Sequence, residues 1–334
     1  MSSTRENSII IDWLSITSKR HTPEELIELL GMQDCTWQTL SGMHGYQERL
    51  WYDSISIHYA GRADMGVWLE MSGQGCRAFE SYGNGDYKSL FALVLSDPEL
   101  IHITRLDIAF DEYTEILDIS RLCKDTLSGN YRSKMTYYEV TQSSNGQSLQ
   151  IGSNQSEVLI RIYDKLAERL SKFRNDDDKE KIREQIPHWI RVELQMRDDR
   201  ALEFIRLLDS MEIGSAYTGV IRNYLQYGYT RVVDGEERFC TYSYWEKVLQ
   251  GAEAISIYRS PGTDYNLARC QNYVFNSAGN AVDALLKIHG TEVFLKLLSE
   301  RKISENPKYL NLISKHKRNE GCIKKGDNTW RSDS

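Results

Sequence analysis

Three strand-like segments decide the fold and carry most of the reactive side chains: IHITRLDIAFD (residues 101–111), EVLIRIYDK (residues 157–165) and WIRVELQMR (residues 189–197). Each alternates β-branched or other apolar residues with polar ones, which is the pattern of a strand with one face against a core. Because successive side chains of a strand point to opposite faces, each segment divides into an apolar and a polar set. We expect the apolar sets to be buried and the polar sets to be exposed.

The polar sets share a narrow composition of arginines, carboxylates and one tyrosine between two cations. In chain order they contain Arg105, Asp107 and Asp111, then Arg161, Tyr163 and Lys165, and then Arg191 and Glu193. Charged residues on an exposed sheet face ordinarily only pair weakly across strands. That explanation suffices for any single segment, but exposure alone does not require this mixture in all three.

The mixture suits the cleavage of a phosphodiester. Carboxylates bind a hard divalent cation such as Mg²⁺ or Mn²⁺, and arginines hold phosphate as bidentate donors. Tyr163 lies two residues from both Arg161 and Lys165, on the same face of an extended strand. We expect these cations to favour the phenolate and so to make the tyrosine a better nucleophile.

The preceding segments predict an antiparallel sheet with helices added to it. SIIIDWLSIT (residues 8–17) predicts a buried strand that Asp12 interrupts, and TPEELIELLG (residues 22–31) predicts a helix with both ends marked. Short alternating runs over residues 36–80 indicate an antiparallel meander. Within it we interpret SGQGC (residues 72–76) as a tight β-turn, because it lacks the Lys-Ser/Thr of a nucleotide-binding loop.

The remaining segments mix helices and strands without regular βαβ alternation. We predict a helix at about residues 88–95, a helical hairpin over residues 166–184 and further helices from residue 199 onward. The predicted fold class is therefore α+β, with a mostly antiparallel central sheet, helices packed on one face, and a helical C-terminal part.

Composition predicts a soluble cytoplasmic protein. The chain has 334 residues, of which 40% are apolar and 27% charged, and its net charge is −7. Its longest aliphatic and aromatic run, LFALVL (residues 90–95), is far shorter than the roughly 20 residues of a membrane span. The N-terminus lacks the pattern of a secretory signal. The six cysteines are scattered without a C-x-x-C pair, so we expect reduced thiols.

Two further features offer contacts to nucleic acid. From residue 301 to the end, nine Lys/Arg stand against four Asp/Glu, which suits a backbone-binding tail or a plain solvated one. Aromatic residues interleaved with Arg222 and Arg231 suit either base stacking or a core, and both arginines are candidate DNA contacts. These aromatic residues are Tyr217, Tyr224, Tyr227, Tyr229, Tyr242 and Tyr244.

Five strings together resemble the rolling-circle replication initiators of the Rep_trans type, a group that includes plasmid and filamentous-phage initiators and related relaxases. They are DWLSIT (residues 12–17), LEMSGQGCR (69–77), RLDIAFD (105–111), IGSNQSEVLIRIYDK (151–165) and RVELQMR (191–197). The resemblance spans about residues 8–290, and R-I-Y-D-K followed by R-V-E is its most specific part.

The resemblance implies a role for each residue that matches the family's motifs. Tyr163 would attack the origin and become linked to the 5′-phosphate, leaving a free 3′-OH. Asp107 and Glu193 would bind the Mg²⁺ or Mn²⁺ ion, with Asp111 a weaker third ligand. The phosphate contacts or orienting residues would be Lys165, Arg105, Arg161 and Arg191. The chain has no H-x-H, so a carboxylate or mixed site must serve.

The order of the predicted elements and the charge of the C-terminus also predict a domain plan. Residues 1–210 would form the nicking domain, residues 211–300 a mixed or helical part packed on it, and residues 301–334 a partly disordered basic tail.

The implied partners are origin DNA with its nick site exposed as single strand, a host helicase and polymerase, and a second protomer in a homodimer that supplies another nucleophile. No membrane partner is expected. The alternatives are a conjugative relaxase with the same chemistry, a non-enzymatic origin-binding regulator, and a metal-dependent nuclease that uses water.

Overall fold

The computed structural model describes residues 5–143, 146–251, 255, 274, 279–300 and 313. The chain divides into two compact units, residues 1–258 and residues 259–334. The strands of the first unit are β1 (Ser8–Ser18), β2 (Gln38–Ser41), β3 (Glu48–Tyr52), β4 (Ile55–Tyr59), β5 (Val67–Met71), β6 (Ile101–Glu112), β7 (Tyr131–Ser133), β8 (Tyr138–Ser143), β9 (Gly146–Ile151), β10 (Val158–Asp164), β11 (Ile190–Arg197), β12 (Leu225–Val233) and β13 (Glu236–Thr241).

Nine helices lie between or after the strands in the described part of the first unit, and one long helix lies in the described part of the second unit. Those of the first unit are α1 (Pro23–Leu29), α2 (Gly73–Tyr82), α3 (Tyr87–Ser96), α4 (Ile119–Leu127), α5 (Lys165–Ser171), α6 (Asp176–Gln185), α7 (Asp199–Leu207), α8 (Ile213–Tyr224) and α9 (Ser243–Leu249). The second unit contains α10 (Gly279–Glu300), which is interrupted at Gly290. Within the part of the chain that the structure describes, no helix has the length and apolarity of a membrane span.

A single ten-stranded sheet organises the first unit. Its strand order is β2-β3-β4-β5-β1-β6-β11-β10-β9-β8, and all neighbouring strands run antiparallel. A smaller sheet has the order β13-β12-β7. The predicted α+β class with a mostly antiparallel sheet is confirmed, as are the three deciding strands. The predicted boundaries at residues 210 and 300 stay a prediction, and the basic tail lies outside the described residues except for Ile313.

The N-terminal prediction is correct for the first helix and wrong for the glycine-rich turn. Helix α1 begins directly after the predicted capping residue Thr22, and Thr22 and Glu25 form a capping box in which they exchange side-chain and backbone hydrogen bonds. The meander, however, ends at Met71, and SGQGC is the start of α2. A Cβ on Gly75 would lie 2.3 Å from the Ser54 carbonyl oxygen. The glycine therefore permits close helix packing.

One face of the large sheet forms the core with helices α7 and α8. The apolar side chains of β6, β10 and β11 pack there with Phe204 and Ile205 of α7 and with Tyr217 of α8. The Tyr217 hydroxyl donates to the Val192 carbonyl oxygen at 2.9 Å. The stacking interpretation is wrong for Tyr217, Tyr224, Tyr227 and Tyr244, which are buried in this core, whereas Tyr229 is 44% exposed.

Two β-bulges shift the alternation of the central strands. In the pairing of β1 with β6, Ile11 is opposite Ile108 and Trp13 is opposite Asp107, so Asp12 is the extra residue. A second irregularity leaves Thr104 of β6 without a counterpart. The β1 bulge brings the Asp12 carboxylate to the polar face of the sheet, where it meets Arg191.

Candidate active site on the polar face of the sheet

The antiparallel register brings the polar sets of the three segments to one face. Tyr163 of β10 is opposite Arg191 of β11, which is opposite Asp111 of β6. The next rows pair Arg161 with Glu193, and Gln195 with Asp107. The face therefore collects the predicted residues in adjacent rows, and their chemical roles stay predictions.

Asp107 and Glu193 form the centre of this face. Arg105 donates two hydrogen bonds to Asp107, at 2.9 and 2.6 Å. Arg161 donates to Glu193 at 2.8 Å, and the same Nη2 lies 3.9 Å from Asp107 Oδ2. Burial raises the pKa of Asp107 well above its ordinary value, and the charge of Glu193 adds to this, although the Arg105 hydrogen bonds oppose it. A bound cation would offset the electrostatic repulsion between these two buried carboxylates.

Tyr163 lies beside this pair. Its hydroxyl oxygen is 3.4 Å from Glu193 Oε2, so the carboxylate can receive the phenolic proton once the contact tightens. Burial raises the pKa of Tyr163 far above its ordinary value, and the charge of Glu193 raises it further, while Arg191 lowers it. Burial and the carboxylate therefore outweigh the neighbouring cations in their effect on the pKa of Tyr163, and the activation of Tyr163 by these cations stays a prediction.

Lys165 does not continue the strand. Strand β10 ends at Asp164, whose side chain caps α5, and Lys165 is the first residue of that helix. Its Nζ forms an ion pair with Glu168 at 2.5 Å and lies 5.5 Å from the centroid of the Tyr163 ring. The prediction that Lys165 shares an extended face with Tyr163 was wrong in conformation, yet the two side chains are still close.

Asp111 is saturated with hydrogen bonds. It accepts Arg191 Nε at 2.7 Å, Arg191 Nη2 at 2.8 Å and Trp189 Nε1 at 2.7 Å. A third arginine nitrogen, Nη1, pairs with Asp12 at 2.8 Å. This network leaves Asp111 poorly available to a metal ion and makes it a structural anchor for Arg191. Asp12 is a residue of the site that was not predicted, although its position as a lone carboxylate inside an apolar strand was a signal for it.

The expectation that the polar sets are exposed was wrong. Asp107, Asp111, Arg191 and Glu193 are all buried. The reason is that long arginine side chains cover the carboxylates: the side chain of Arg105 is 23% exposed, whereas that of its partner Asp107 is 1% exposed. Ion pairing thus lets charges occupy positions that alternation assigns to solvent.

Arg222 and Arg231 are not brought to this face. Arg222 lies on α8 and pairs with Glu246 of α9. Arg231 is exposed on β12, in the smaller sheet. Neither arginine shares a row or an ion pair with the Asp107–Glu193 centre.

Glu112, the last residue of β6, has a structural role outside this site. Glu112 is fully buried and accepts hydrogen bonds from the backbone of Thr114, Ile116 and Leu117 and from the ring of His188. Burial alone would raise the pKa of Glu112, but these hydrogen bonds, led by that of His188, lower it to about 2. The same contact raises the pKa of His188. Glu112 therefore fixes the loop after β6.

The residues present fit a hard divalent cation. Among the described residues no group of three or more His, Cys, Asp and Glu side chains could hold a metal ion. Mg²⁺, however, commonly binds through one or two carboxylates together with waters and substrate phosphates. Asp107 and Glu193 supply that pair, with the amide oxygen of Gln195 beside them as the acceptor of Arg161 at 3.3 Å.

Comparisons with known proteins agree with one another. The model of the family described as Replication initiation factor matches residues 101–300, and that of the Rolling Circle replication initiation protein N-terminal domain matches residues 8–95. A Bacillus subtilis (strain 168) protein named DNA relaxase NicK is 25% identical over 295 residues, covering 83% of this chain and 80% of that protein. A solved rolling circle replication initiator from Geobacillus stearothermophilus gives a TM-score of 0.63 at 25% identity, covering 76% of this chain and 99% of its own.

Proposed function

The chain belongs to the replication initiation factor family, and we propose that it starts rolling-circle replication by nicking one strand of a double-stranded origin through Tyr163. The observation that carries the proposal is the row-by-row convergence of Tyr163, Glu193 and Asp107, with the Tyr163 hydroxyl oxygen 3.4 Å from Glu193. A nucleophile, a proton acceptor and a pair of cation ligands then share one face.

The reaction is a transesterification. The Tyr163 oxygen attacks the scissile phosphorus, and Glu193 accepts the phenolic proton. The new bond joins the tyrosine oxygen to the 5′-phosphate, the bond from phosphorus to the 3′-oxygen breaks, and that oxygen takes a proton from water. Arg161 holds the non-bridging oxygens. The free 3′-OH then primes host polymerase while a host helicase unwinds the duplex.

Asp107 and Glu193 are the proposed ligands of Mg²⁺ or Mn²⁺. When bound, the cation would neutralise charge on the phosphate and favour the ionised tyrosine. Because the phosphodiester is conserved in the covalent adduct, a second attack can rejoin the displaced strand. A second protomer of a homodimer is the proposed source of the nucleophile for that step.

The test uses supercoiled plasmid that carries the double-stranded origin of the replicon encoding the chain. Wild-type protein with Mg²⁺ or Mn²⁺ should give nicked circles and a protein–DNA adduct that survives denaturing electrophoresis. Tyr163→Phe should give neither. Tyr82→Phe is the matched control, because Tyr82 is 58% exposed at the end of α2 and its change should leave nicking intact.

Other outcomes identify the alternatives. Undiminished nicking by Tyr163→Phe would disprove the assignment of the nucleophile. Nicking without an adduct would indicate a nuclease that uses water. Origin binding without any cleavage would indicate a non-enzymatic regulator.

A relaxase that starts conjugative transfer is the second candidate. The observation that favours it is the 25% identity over 295 residues to the protein named DNA relaxase NicK. Both candidates use the same chemistry, so they differ in the DNA that is cut. Nicking confined to a transfer origin, with a replication origin left intact, would decide for the relaxase.

A further inference from the structure

The polar face of the large sheet continues beyond the Asp107–Glu193 centre, and aromatic side chains replace carboxylates there. Trp13 of β1 is opposite Asp107, and the Arg105 guanidinium lies 4.0 Å from the centroid of its ring. Farther along, Trp68 of β5 is opposite His58 of β4, and their rings stack with centroids 4.5 Å apart. We call Trp13, Arg105, His58 and Trp68 the aromatic track.

The β2–β3 turn adds rings to the far end of the track. The Tyr46 ring is stacked on Trp68 with centroids 6.2 Å apart, and the exposed ring of His44 meets Trp68 edge-on at 5.5 Å. Trp13 and Trp68 themselves are half-buried, so part of each indole surface is accessible. Aromatic faces of this kind are where unpaired bases stack in proteins that bind single strands.

The same face concentrates polar atoms that lack a partner. Across the described residues, nine buried side-chain nitrogen atoms have no hydrogen-bond partner, and six of them lie on this face. The six atoms are Trp13 Nε1, Arg49 Nε, His58 Nδ1, Arg161 Nε, Gln195 Nε2 and Arg197 Nε. A buried polar nitrogen without a partner lowers stability, so a cluster of them indicates that a ligand supplies the partners. Gln195, which is 3% exposed, is the most buried of the donors that adjoin Asp107.

From these observations we infer that the aromatic track binds the unpaired DNA strand that continues from the scissile phosphate. Phosphate and base oxygens are acceptors for the N–H groups of the tryptophan, arginine and glutamine side chains among these six. Arg49, Arg105 and Arg197 add positive charge to this stretch of the face, which also contains Glu70. A duplex is a poorer occupant, because its bases already stack on one another and present no free face to the indoles.

The inference rests on the proposed function, since it takes Tyr163 as the place where the strand is cut. Tyr163 and Trp13 are separated by three strand spacings and two rows, or about 14 Å in each direction for ordinary sheet dimensions. A few nucleotides span such a gap. The track then explains how the nick site is held open as a single strand while Tyr163 attacks.

The experiment measures binding without cleavage. A fluorescein-labelled oligothymidine of about twelve nucleotides, within the usual site size for single strands, is titrated with the full chain in EDTA, and a duplex of equal length is titrated in parallel. Trp13→Leu and Trp68→Leu should each weaken single-strand binding roughly 5- to 150-fold, the loss of one stacked base, and should leave duplex binding unchanged.

Two sets of controls separate stacking from folding. Trp13→Tyr and Trp68→Tyr keep an aromatic ring and should retain most of the single-strand affinity. Tyr82→Leu removes an exposed ring at the end of α2 and should bind as wild type does. Equal losses for Leu and Tyr variants, equal losses for single strand and duplex, or a loss in Tyr82→Leu with none in the Trp variants would each overturn the inference.

The result is independent of covalent chemistry. Oligothymidine carries no origin and EDTA removes the cation, so the assay reports the track even if Tyr163 is not the nucleophile. A chain that needs both tryptophans for oligothymidine but forms no adduct at an origin would disprove the proposed function and leave the track. A chain that forms the adduct but binds oligothymidine without the tryptophans would disprove the track alone.

Discussion

Two clusters of arginine and carboxylate lie in adjacent rows of the same sheet and differ in how fully their hydrogen bonds are satisfied. Asp111 accepts three donors from Arg191 and Trp189, all within 2.8 Å. At the neighbouring centre, Asp107 and Glu193 repel each other, and the amide nitrogen of Gln195 has no acceptor. We call the Asp111–Arg191 cluster the closed network, because the Asp111 carboxylate is fully paired with donors. We call the Asp107–Glu193 cluster the open network, because it contains repelling carboxylates and a donor without an acceptor.

This difference in hydrogen bonding indicates that the Asp111–Arg191 cluster holds the sheet together and that the Asp107–Glu193 cluster can bind a ligand. A closed network has nothing to gain from a ligand and much to lose from a mutation. A change in the open network should lower stability less, because its two carboxylates repel each other and Gln195 Nε2 already lacks an acceptor. It should nevertheless remove the chemistry that a phosphate and a cation would complete.

Glu193→Gln should abolish most nicking while the protein stays folded. The substitution keeps the shape of the side chain but removes the proton acceptor of Tyr163 and one cation ligand, so we expect the nicking rate to fall roughly 10²- to 10⁴-fold. The rate of conversion of supercoiled to nicked plasmid measures it. Glu246→Gln, which breaks an ion pair with Arg222 outside the site, should nick at the wild-type rate. A fast Glu193→Gln enzyme would contradict the open-network interpretation.

Asp111→Leu should instead lower stability. It leaves Arg191, which is 5% exposed, without its bidentate partner, and breaking a buried pair in this way costs about 3–5 kcal/mol. Urea denaturation gives the free energy of unfolding. The double variant Asp111→Leu/Arg191→Met should recover part of the loss because no unpaired charge is left between those two positions. A cost below about 1 kcal/mol would mean that the closed network is dispensable.

The Glu112–His188 pair, which lies outside both networks, should make the free energy of unfolding depend on pH. The pKa of Glu112 is lowered from 4.5 to about 2, so its contribution is complete above pH 4.5 and is lost as the pH falls toward 2. The pKa of His188 is raised above 6.5, so its contribution is complete below pH 6.5 and is lost as the pH rises through the raised value.

Glu112→Gln should therefore lower the free energy of unfolding on the order of 3 kcal/mol near pH 6 and flatten its fall in acid. Urea denaturation of both proteins across this pH range measures the effect. Parallel pH curves for the two proteins would show that Glu112 does not carry the acid dependence.

A divalent cation should stabilise the open network but not the closed one. Mg²⁺ at ten times its dissociation constant should add about 1.4 kcal/mol to the free energy of unfolding. Asp107→Asn should remove this increment, whereas Asp12→Asn should keep it. KCl at matched ionic strength is the control for screening. An equal increment in Asp107→Asn would place the cation elsewhere.

Alternation in the sequence predicted much of this site. The period of two in β6, β10 and β11 was sufficient to assign Tyr163, Asp107 and Glu193 to one face, and the capping residues of α1 were equally explicit. Alternation could not reveal that arginines would bury the carboxylates, because burial depends on neighbours across strands.

Lys165 begins a helix because the Asp164 side chain accepts from the Ala167 N–H, a local cap that was overlooked where a continued strand was expected. Other features depended on tertiary contacts that no local pattern encodes. The glycines of α2 suggested a turn because the close approach of Gly75 to Ser54 and of Gly73 to Asp12 was unknown. Trp13 and Trp68 were overlooked because they are far apart in sequence and become part of one surface only through strand order.

The bulge at Asp12 divides β1 into two halves, and the core-facing side chains have odd residue numbers in the first half and even residue numbers in the second. Ile9 and Ile11 face the core on odd numbers, and Leu14 and Ile16 face it on even ones. A chain one residue shorter at this point would keep all four isoleucine and leucine contacts in step and would lose the carboxylate that meets Arg191. A single-residue gap inside a central strand, which ordinarily signals a misalignment between related sequences, is therefore physically acceptable at position 12.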